Sequence, residues 1–292
     1  MSVFLTSGTG YVGAAVLRAL LADGQAVTAL ARSDDSAAAV ERAGATAVRG
    51  DLSDAASIVA AAQDADAFVH TAAKADGTDA DTDAALIDAL LPAYAGSDRP
   101  VVFTSGVWVH GNGSFDEDAP LDPPTLTAWR PPLLDRVRSA DGIRGIVIAP
   151  GIVYGASGGI PGSVVPNGPR TDDGALVLPG SGDQHWTTIH VEDLGRLYAA
   201  AVARARAGAY YLGVNGQNPT VREIGEALER GRGRDGQVVG SSDADTLERL
   251  GVFGEALLLD QQATGDRARR ELGWAPSEIG LLDDLEQGSY AG

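Results

Sequence analysis

Three glycines stand between an apolar run and an alanine-rich segment at the start of the chain. Val3 to Thr6 reads as a strand, Gly8, Gly10 and Gly13 form a tight turn, and Tyr11 to Ala22 reads as a helix that ends at Asp23-Gly24. A strand, a glycine turn and a helix in this order are typical of one unit of a parallel sheet. The unit therefore predicts an α/β fold.

The same alternation of strand and helix continues to Pro150. A helix is predicted from Ser53 to Ala62, with Ser53 as its N-cap. We therefore expect a Rossmann-type, doubly wound parallel sheet covered by helices on both faces. The six predicted strands are Val3 to Thr6, Ala26 to Ala31, Ala45 to Val48, Ala67 to Thr71, Val101 to Ser105 and Ile146 to Ala149.

The glycine turn matches the Gly-x-Gly-x-x-Gly pattern that binds a dinucleotide. Glycine lets the backbone approach a pyrophosphate, while the helix N-terminus offers N–H groups and the positive end of its dipole. The match gains specificity because it lies between a strand and a helix. We expect the pyrophosphate to be held by Gly8, Thr9, Gly10, Tyr11, Val12 and Gly13.

The second predicted strand ends in Ala31-Arg32-Ser33. An acidic residue at this point would favour a free ribose 2′-hydroxyl, whereas the planar guanidinium of Arg32 suits a 2′-phosphate. Ser33 can add a hydrogen bond, so we expect NADP(H) to be favoured over NAD(H). The alternative is a surface arginine paired with Asp34 and Asp35.

Two further strand ends extend the cofactor site. An aspartate after the third strand can accept a hydrogen bond from the adenine amine, and small residues after the fourth let the cofactor cross the strand ends. These positions are Asp51, Leu52, Thr71, Ala72 and Ala73.

The composition and the predicted secondary structure of the chain change after Pro150. Glycine and proline are dense from 151 to 182, and helices are predicted again only near Val191. We expect a cofactor-binding core at 1–150 and mainly a substrate-binding lobe at 151–292, with segments around 186–214 returning to the core. In the lobe, Thr220 and Glu223 form a capping box, and Thr264 is expected to cap a helix that ends at Leu272.

Charge and residue content exclude several classes of function. The net charge of -18, without a basic tract, would repel nucleic acid and anionic membranes. No cysteine is present, and the aspartates from 76 to 83 lack the glycine and terminal glutamate of an EF-hand, so no metal site is predicted. Because no apolar run approaches about 18 residues and no export signal is evident, we expect a cytoplasmic protein.

These residues together resemble the extended and atypical short-chain dehydrogenase/reductases, the NAD-dependent epimerase/dehydratase-like group. The resemblance covers nearly the whole chain and includes GDL at 50–52, PGIVYG at 150–155 and HVEDL at 190–194. TSGVW at 104–108 and RRELGW at 269–274 are similar to an atypical subgroup that lacks the usual active-site residues. The resemblance implies a homodimer and cofactor contacts from Thr104, Pro150, Gly151, Ile152 and Val153.

The chain departs from this group at its tyrosine-lysine dyad. Lys74 is the only lysine, and no tyrosine has a lysine or arginine four positions later. In the segment 124–138, Thr127 or Leu126 replaces the tyrosine and Pro131 or Arg130 replaces the lysine, depending on register. Pro131 also predicts that a helix begins there.

Four residues remain as candidates for polarising or protonating a substrate. Ser105 lies one position before Gly106, which stands where relatives carry the substrate-facing hydroxyl. Tyr154 faces the substrate in relatives, although its ordinary pKa of about 10 needs a nearby cation; a wall or packing role is the alternative. Lys74 can lower a neighbour's pKa or hold an anion, or it is a solvated lysine beside Asp76. An unperturbed histidine titrates near pH 6.5, so His110 is a candidate proton donor; a structural role is the alternative.

Aromatic side chains and a glycine are expected to border the substrate. Gly106, Trp108, Trp129, His185 and Trp186 suit a flat or cyclic ligand, and core packing is the alternative for the tryptophans. The sequence thus predicts an NADP-dependent oxidoreductase for a small carbonyl, alcohol or imine, with a non-standard proton donor. The alternative is an NADP-binding protein without hydride chemistry, either a redox sensor or a lyase, isomerase or cyclase that reuses the pocket.

Overall fold

A parallel sheet organises residues 1–74 and 77–291, the part of the chain that the computed structural model describes. Three two-stranded sheets accompany this main sheet. In chain order, the strands of all four sheets are β1 (Ser2–Leu5), β2 (Ala26–Ala31), β3 (Thr46–Arg49), β4 (Ala67–His70), β5 (Pro100–Thr104), β6 (Gly113–Ser114), β7 (Arg144–Pro150), β8 (Ile152–Tyr154), β9 (Leu176–Leu178), β10 (Thr188–His190), β11 (Ala209–Gly213), β12 (Val238–Gly240) and β13 (Gln261–Gln262). Seven of these strands form the main parallel sheet, in the order β11-β7-β5-β4-β1-β2-β3.

This order is the doubly wound α/β arrangement that the sequence predicts. The chain runs from β1 outward to β3, returns to pair β4 with β1, and then continues outward to β11. Such a reversal leaves a ligand crevice at the carboxyl ends of the central strands. All six predicted strands are confirmed, with bounds within two residues of those observed. The sequence indicates the seventh, β11, only as part of the segment around 186–214.

Helices cover both faces of the sheet because successive side chains of a strand point to opposite faces. Val3 and Leu5 pack with Leu20 in one apolar cluster, whereas Phe4 packs with Phe68 in another. The helices are α1 (Tyr11–Ala22), α2 (Asp34–Arg42), α3 (Ala55–Ala62), α4 (Asp79–Tyr94), α5 (Arg130–Ser139), α6 (Gly159–Ser163), α7 (Val191–Arg204), α8 (Val221–Gly231), α9 (Asp243–Leu257), α10 (Asp266–Leu272) and α11 (Leu281–Gln287).

Several helix ends follow the predicted local signals. α1 has the predicted bounds, and α8 begins with the capping box between Thr220 and Glu223. α5 begins next to Pro131, as its position in a first turn requires. His190 caps α7 by accepting a hydrogen bond from the Glu192 N–H at 3.2 Å.

Two predicted caps are wrong by one residue. Asp54, not Ser53, caps α3, because its carboxylate accepts the Ser57 N–H. Gly265, in the left-handed conformation with φ 67°, precedes α10 in place of Thr264. In both cases the neighbouring side chain is still engaged, since hydroxyls and carboxylates compete for the same turn.

A third apolar cluster holds the C-terminal lobe together. It contains Trp186, Ile224, Leu228, Leu257 and Leu285. The helix α6 and short 3-10 turns interrupt the glycine-rich stretch, earlier than the sequence predicts helices to resume. Over the described ranges, no helix combines the length and apolar character needed to cross a bilayer.

Candidate active site

The turn between β1 and α1 forms a cradle that side chains larger than glycine would fill. A Cβ on Gly13 would lie 1.6 Å from the Ser7 carbonyl oxygen, and a Cβ on Gly10 would lie 2.7 Å from Ser7 Oγ. Gly10 is the N-cap of α1, and no side chain caps this helix. The N–H groups of its first turn can therefore face an anion. This geometry fits a dinucleotide pyrophosphate.

A buried hydrogen-bond chain fixes the loop after β4 beside this turn. Thr6 Oγ1 accepts the N–H groups of Thr71 and Ala72, at 3.2 and 3.3 Å. Its own proton therefore goes to His70 Nδ1, 3.0 Å away, and His70 Nε2 donates to Asp83 at 3.0 Å. These side chains hold the loop, and they do not expose a reactive group.

Arg32 lies exposed at the end of β2. In the described ranges it forms no ion pair, because Asp34 pairs with Arg49 instead. Arg49 also donates to the Arg32 carbonyl oxygen at 2.8 Å, so a second arginine that the sequence prediction missed stands beside the first. The Ser33 hydroxyl is engaged with Ser36 in the capping box of α2.

Asp51 follows β3 at the same edge of the sheet. Hydrogen bonds from Ser53 lower the pKa of the Asp51 carboxyl, and the charges of Lys74 and Arg32 act in the same direction. The charge of Lys74 therefore reaches Asp51, and the Lys74 backbone N–H donates to Asp79 at 2.7 Å. Asp76, the proposed neighbour of Lys74, lies outside the described residues.

A cavity of about 860 Å³ opens beside the glycine turn, at the carboxyl ends of β5 and β7. It is lined by residues of the predicted cofactor site and of the predicted substrate site, so the fold brings the two together. The predicted residues that line it are Tyr11, Val12, Ala73, Thr104, Ser105, Gly106, Trp108, Trp129, Pro150, Gly151, Ile152 and Val153.

Two hydroxyl groups on the cavity wall lack a hydrogen-bond partner within the described ranges. Ser105 is 7% exposed and Thr127 is 6% exposed, and neither hydroxyl has a partner at ordinary hydrogen-bond geometry, although the Ser105 hydroxyl lies near enough to the Tyr210 phenol to oppose the rise that burial causes in its pKa. The Ser105 N–H donates to the Ile148 carbonyl oxygen at 2.7 Å, which holds this residue at the strand end. A buried hydroxyl without a partner is costly unless a ligand or water satisfies it. Both groups can therefore serve an oxygen atom in the cavity.

Arg130 is the cation on the cavity wall in the described part of the chain. Its Nη1 donates to the Thr104 carbonyl oxygen at 3.1 Å, and its guanidinium lies 4.4 Å from the centre of the Trp129 ring. Burial lowers the pKa of Arg130, although the charges of Asp83 and Asp79 oppose that fall. The guanidinium is nonetheless charged at every physiological pH.

Tyr154 does not line the cavity. Its side chain is fully buried in the C-terminal lobe, where the hydroxyl donates to the Ile279 carbonyl oxygen at 2.8 Å and accepts from Asn215 Nδ2 at 3.1 Å. Burial raises the pKa of this phenol. The structure therefore favours the packing alternative over the acid for Tyr154.

His110 is also absent from the cavity lining. Its Nε2 is 2.9 Å from the Tyr210 hydroxyl, and its ring stacks on Phe115 with centroids 4.4 Å apart. Burial lowers the pKa of His110 to about 4, so the imidazole is neutral at pH 7. A neutral ring without contact to the cavity is a poor proton donor, and the structural alternative replaces that hypothesis.

His185 and Trp186 lie in the lobe, away from the cavity. His185 Nδ1 is 2.9 Å from Asp260, and the 2%-exposed Trp186 donates to the Leu257 carbonyl oxygen at 3.1 Å. They hold segments of the lobe together, which corrects their assignment to the substrate. Trp108 and Trp129 do line the cavity.

Several residues of the cavity wall were not assigned from sequence, among them Thr127, Arg130, Val252 and Phe253. Thr127 and Arg130 lie in the segment 124–138, where the tyrosine-lysine dyad is missing. The spacing of that dyad could therefore have predicted that both residues lie at the site. Val252 and Phe253 come from α9 and follow no motif. This helix breaks at Gly251, where φ is 57°, immediately before the two side chains.

Comparisons with known proteins support the cofactor half of the site. Residues 8–118 match a family described as NAD(P)H-binding. An uncharacterized protein of Schizosaccharomyces pombe is 26% identical over 297 residues, which cover 99% of this chain and 100% of the relative. The shared sequence thus extends over the full length of both proteins.

Solved structures share the fold. A double mutant of DesIV, a dTDP-glucose 4,6-dehydratase from Streptomyces venezuelae with NAD and DAU bound, superposes with a TM-score of 0.78 at 24% identity, over 99% of this chain and 96% of that one. The human epimerase family protein SDR39U1 with NADPH gives a TM-score of 0.73 at 21% identity, over 99% of both chains. The chain therefore shares the fold of these two proteins, and its residues 8–118 match a family of NAD(P)H-binding type.

Proposed function

We propose that the protein binds NADP and transfers hydride between it and a small carbonyl, alcohol or imine. The observation that carries the proposal is the single cavity in which residues of the glycine turn, Tyr11 and Val12, meet the Ser105 hydroxyl and the aromatic rings of Trp108 and Trp129. A cofactor site that opens into an apolar space with a few polar groups is typical of a catalytic pocket.

The chain offers contacts along the whole length of a dinucleotide. The pyrophosphate would lie at Gly10 to Gly13 on the α1 N-terminus, and Asp51 would accept from the adenine amine. Pro150 and Gly151 would lie beside the nicotinamide. When bound, this cofactor supplies or takes up the hydride.

Preference for NADP rests on the arginines at the strand ends. Arg32 has no ion pair in the described part of the chain and is free of the acidic partners that the alternative required. Arg49 adds positive charge next to it, although Asp34 neutralises part of that charge. A guanidinium without a partner is suited to a phosphate monoester.

Ser105 is the residue that we assign to the reacting oxygen. Its unpartnered hydroxyl would donate to the substrate oxygen and polarise the bond. In the reductive direction the substrate carbon gains a hydride, its C=O π bond breaks, the oxygen gains a proton from water, and the dinucleotide is left oxidised. Water is assigned as the proton source because the hydroxyl of Tyr11, the tyrosine that lines the cavity, already donates its proton to the Gly155 carbonyl oxygen at 2.8 Å.

A cofactor titration followed by a substrate screen tests this proposal. We expect NADPH to bind the cofactor-free protein at least about tenfold more tightly than NADH, which corresponds to about 1.4 kcal/mol. A panel of carbonyls and imines should then oxidise NADPH, and Ser105→Ala should slow turnover about a hundredfold. Ser139→Ala, an exposed serine at the end of α5, is the matched control.

Each result separates the two functions. Tight NADPH binding without turnover across the panel would favour the sensor, lyase, isomerase or cyclase. The positions of Tyr154 and His110 outside the cavity also support that alternative. Absence of binding to either nucleotide would refute both.

A further inference from the structure

Arg130 has more hydrogen-bonding capacity than the chain uses. A guanidinium has five N–H donors, and in the described ranges one bond is formed, from Nη1 to the Thr104 carbonyl oxygen at 3.1 Å. Stacking on Trp129 satisfies one face of the group but none of its N–H bonds. The edge formed by Nε and Nη2 is therefore left for another acceptor.

The charge of Arg130 also lacks a paired anion. No carboxylate of the described residues forms an ion pair with it, whereas Arg136 on the same helix pairs with Asp88. Asp79 and Asp83 act on Arg130 only at longer range. A partly buried charge without a paired and hydrogen-bonded partner is destabilising.

The position of Arg130 in its helix increases this cost. It is the first residue of α5, where the helix dipole is positive, and the first turn contains no acidic residue. Pro131 and Pro132 follow and have no N–H to offer. The first turn of α5 therefore does not stabilise a cation at Arg130, which points to a ligand that carries the negative charge.

The other residues of the cavity wall indicate the chemical character of the rest of that ligand. Trp108 and Phe253 lie edge to face with ring centres 5.9 Å apart, and Leu126 and Ile160 also line the cavity. Such walls suit an apolar body with a single anionic group. The fork of an arginine matches the two oxygens of a carboxylate.

We propose that Arg130 binds the carboxylate of the substrate, so that the protein acts on an oxo acid or hydroxy acid with an apolar body. The inference rests on the proposed function and names its substrate class. Arg130 is bonded to the carbonyl of Thr104, the residue before Ser105, so the carboxylate and the reacting oxygen would be neighbours in the substrate.

Binding of a matched pair of unreactive probes tests the inference. The affinities of 3-phenylpropanoate and 3-phenylpropanamide are measured by calorimetry, with the full chain both free of cofactor and saturated with NADPH. We expect the acid to bind at least about tenfold more tightly than the amide, as a charge-assisted bidentate contact requires. Arg130→Gln should remove that difference, and Arg130→Lys should retain part of it.

Controls keep a failed fold from being mistaken for a lost contact. Arg136→Gln lies on the same helix, on an exposed side chain, and should leave the preference for the acid unchanged. The amide affinity and the melting temperature report the integrity of each variant.

Several results would overturn the inference. Equal binding of acid and amide to the unmodified protein would do so without any variant. So would an Arg130→Gln variant that loses NADPH affinity but keeps the preference for the acid, since Arg130 would then serve the cofactor. If the unmodified protein does not bind NADPH, the proposed function fails, while the probes still show by their difference whether a carboxylate site exists.

Discussion

Replacing Tyr154 by phenylalanine separates a structural role from a catalytic one. The sequence motif places this tyrosine near the substrate, whereas its hydroxyl lies in the lobe, bonded to the Ile279 carbonyl oxygen and to Asn215 Nδ2. The substitution keeps the buried ring and removes only the hydroxyl. Packing is therefore conserved, and two hydrogen bonds are lost.

The expected loss of stability follows from those two bonds. Each contributes about 1 kcal/mol net, and both bonds lie in part-buried surroundings, so the free energy of unfolding should fall by about 2 kcal/mol. Turnover at a temperature well below unfolding should stay within about twofold. A proton donor would instead lower turnover by about 10²-fold to 10⁴-fold when removed.

Urea unfolding and NADPH oxidation, measured on the same preparation, give both quantities. Tyr94→Phe is the matched control, because its buried hydroxyl makes one bond, to the Ala62 carbonyl oxygen at 2.6 Å, and should cost about half as much. A Tyr154→Phe variant with unchanged stability and a turnover reduced by a hundredfold or more would refute the structural assignment.

Three further changes probe the cofactor turn, the 2′-phosphate contact and a buried histidine. Gly13→Ala should lower NADPH affinity by at least about a hundredfold or prevent folding, because its Cβ would lie 1.6 Å from the Ser7 carbonyl oxygen. Arg32→Asp should weaken NADPH binding by about 10-fold to 100-fold and NADH binding much less, as expected for a lost charge-assisted contact. His110 stays neutral in the folded protein down to a pKa of about 4, whereas the unfolded chain protonates near 6.5. The unfolded state therefore binds more protons between these values, and stability decreases as the pH falls through this window. His110→Gln should reduce that decrease by up to about 1.4 kcal/mol per pH unit in urea unfolding.

The first two of these changes have a control variant with an opposite expectation, and the third has an outcome that would contradict it. Gly106→Ala should keep NADPH affinity, because no atom lies within 4 Å of its Cβ position; equal losses in the two glycine variants would refute the steric argument. Arg42→Asp changes the same charge on α2 without reaching the strand end, and an equal effect on both nucleotides would exclude a specific phosphate contact. Parallel pH profiles of the His110→Gln variant and the unmodified protein would show that this histidine titrates normally.

Much of the fold was predictable because its signals are local. The glycine turn, the apolar runs and the capping box at Thr220 each depend on neighbouring residues, and the six predicted strands are confirmed. β11 was harder to predict because its register on β7 is decided by pairing with a distant strand. The caps of α3 and α10 were missed by one residue: Asp54 competes with the adjacent Ser53 for the same N–H groups, and α10 begins after the left-handed Gly265, without a side-chain cap in the described residues.

The sequence by itself determined the class of fold and the residues of the cofactor turn, because strand period, glycine geometry and helix capping operate within a few residues. Only the tertiary structure decided which side chains reach the cavity. It directed Tyr154 into the core of the lobe and brought Phe253 to the cavity wall. It also left Arg130 there without a paired anion among the residues that the structure describes. Side-chain direction and the supply of partners depend on segments far apart in the chain, so no local pattern encodes them.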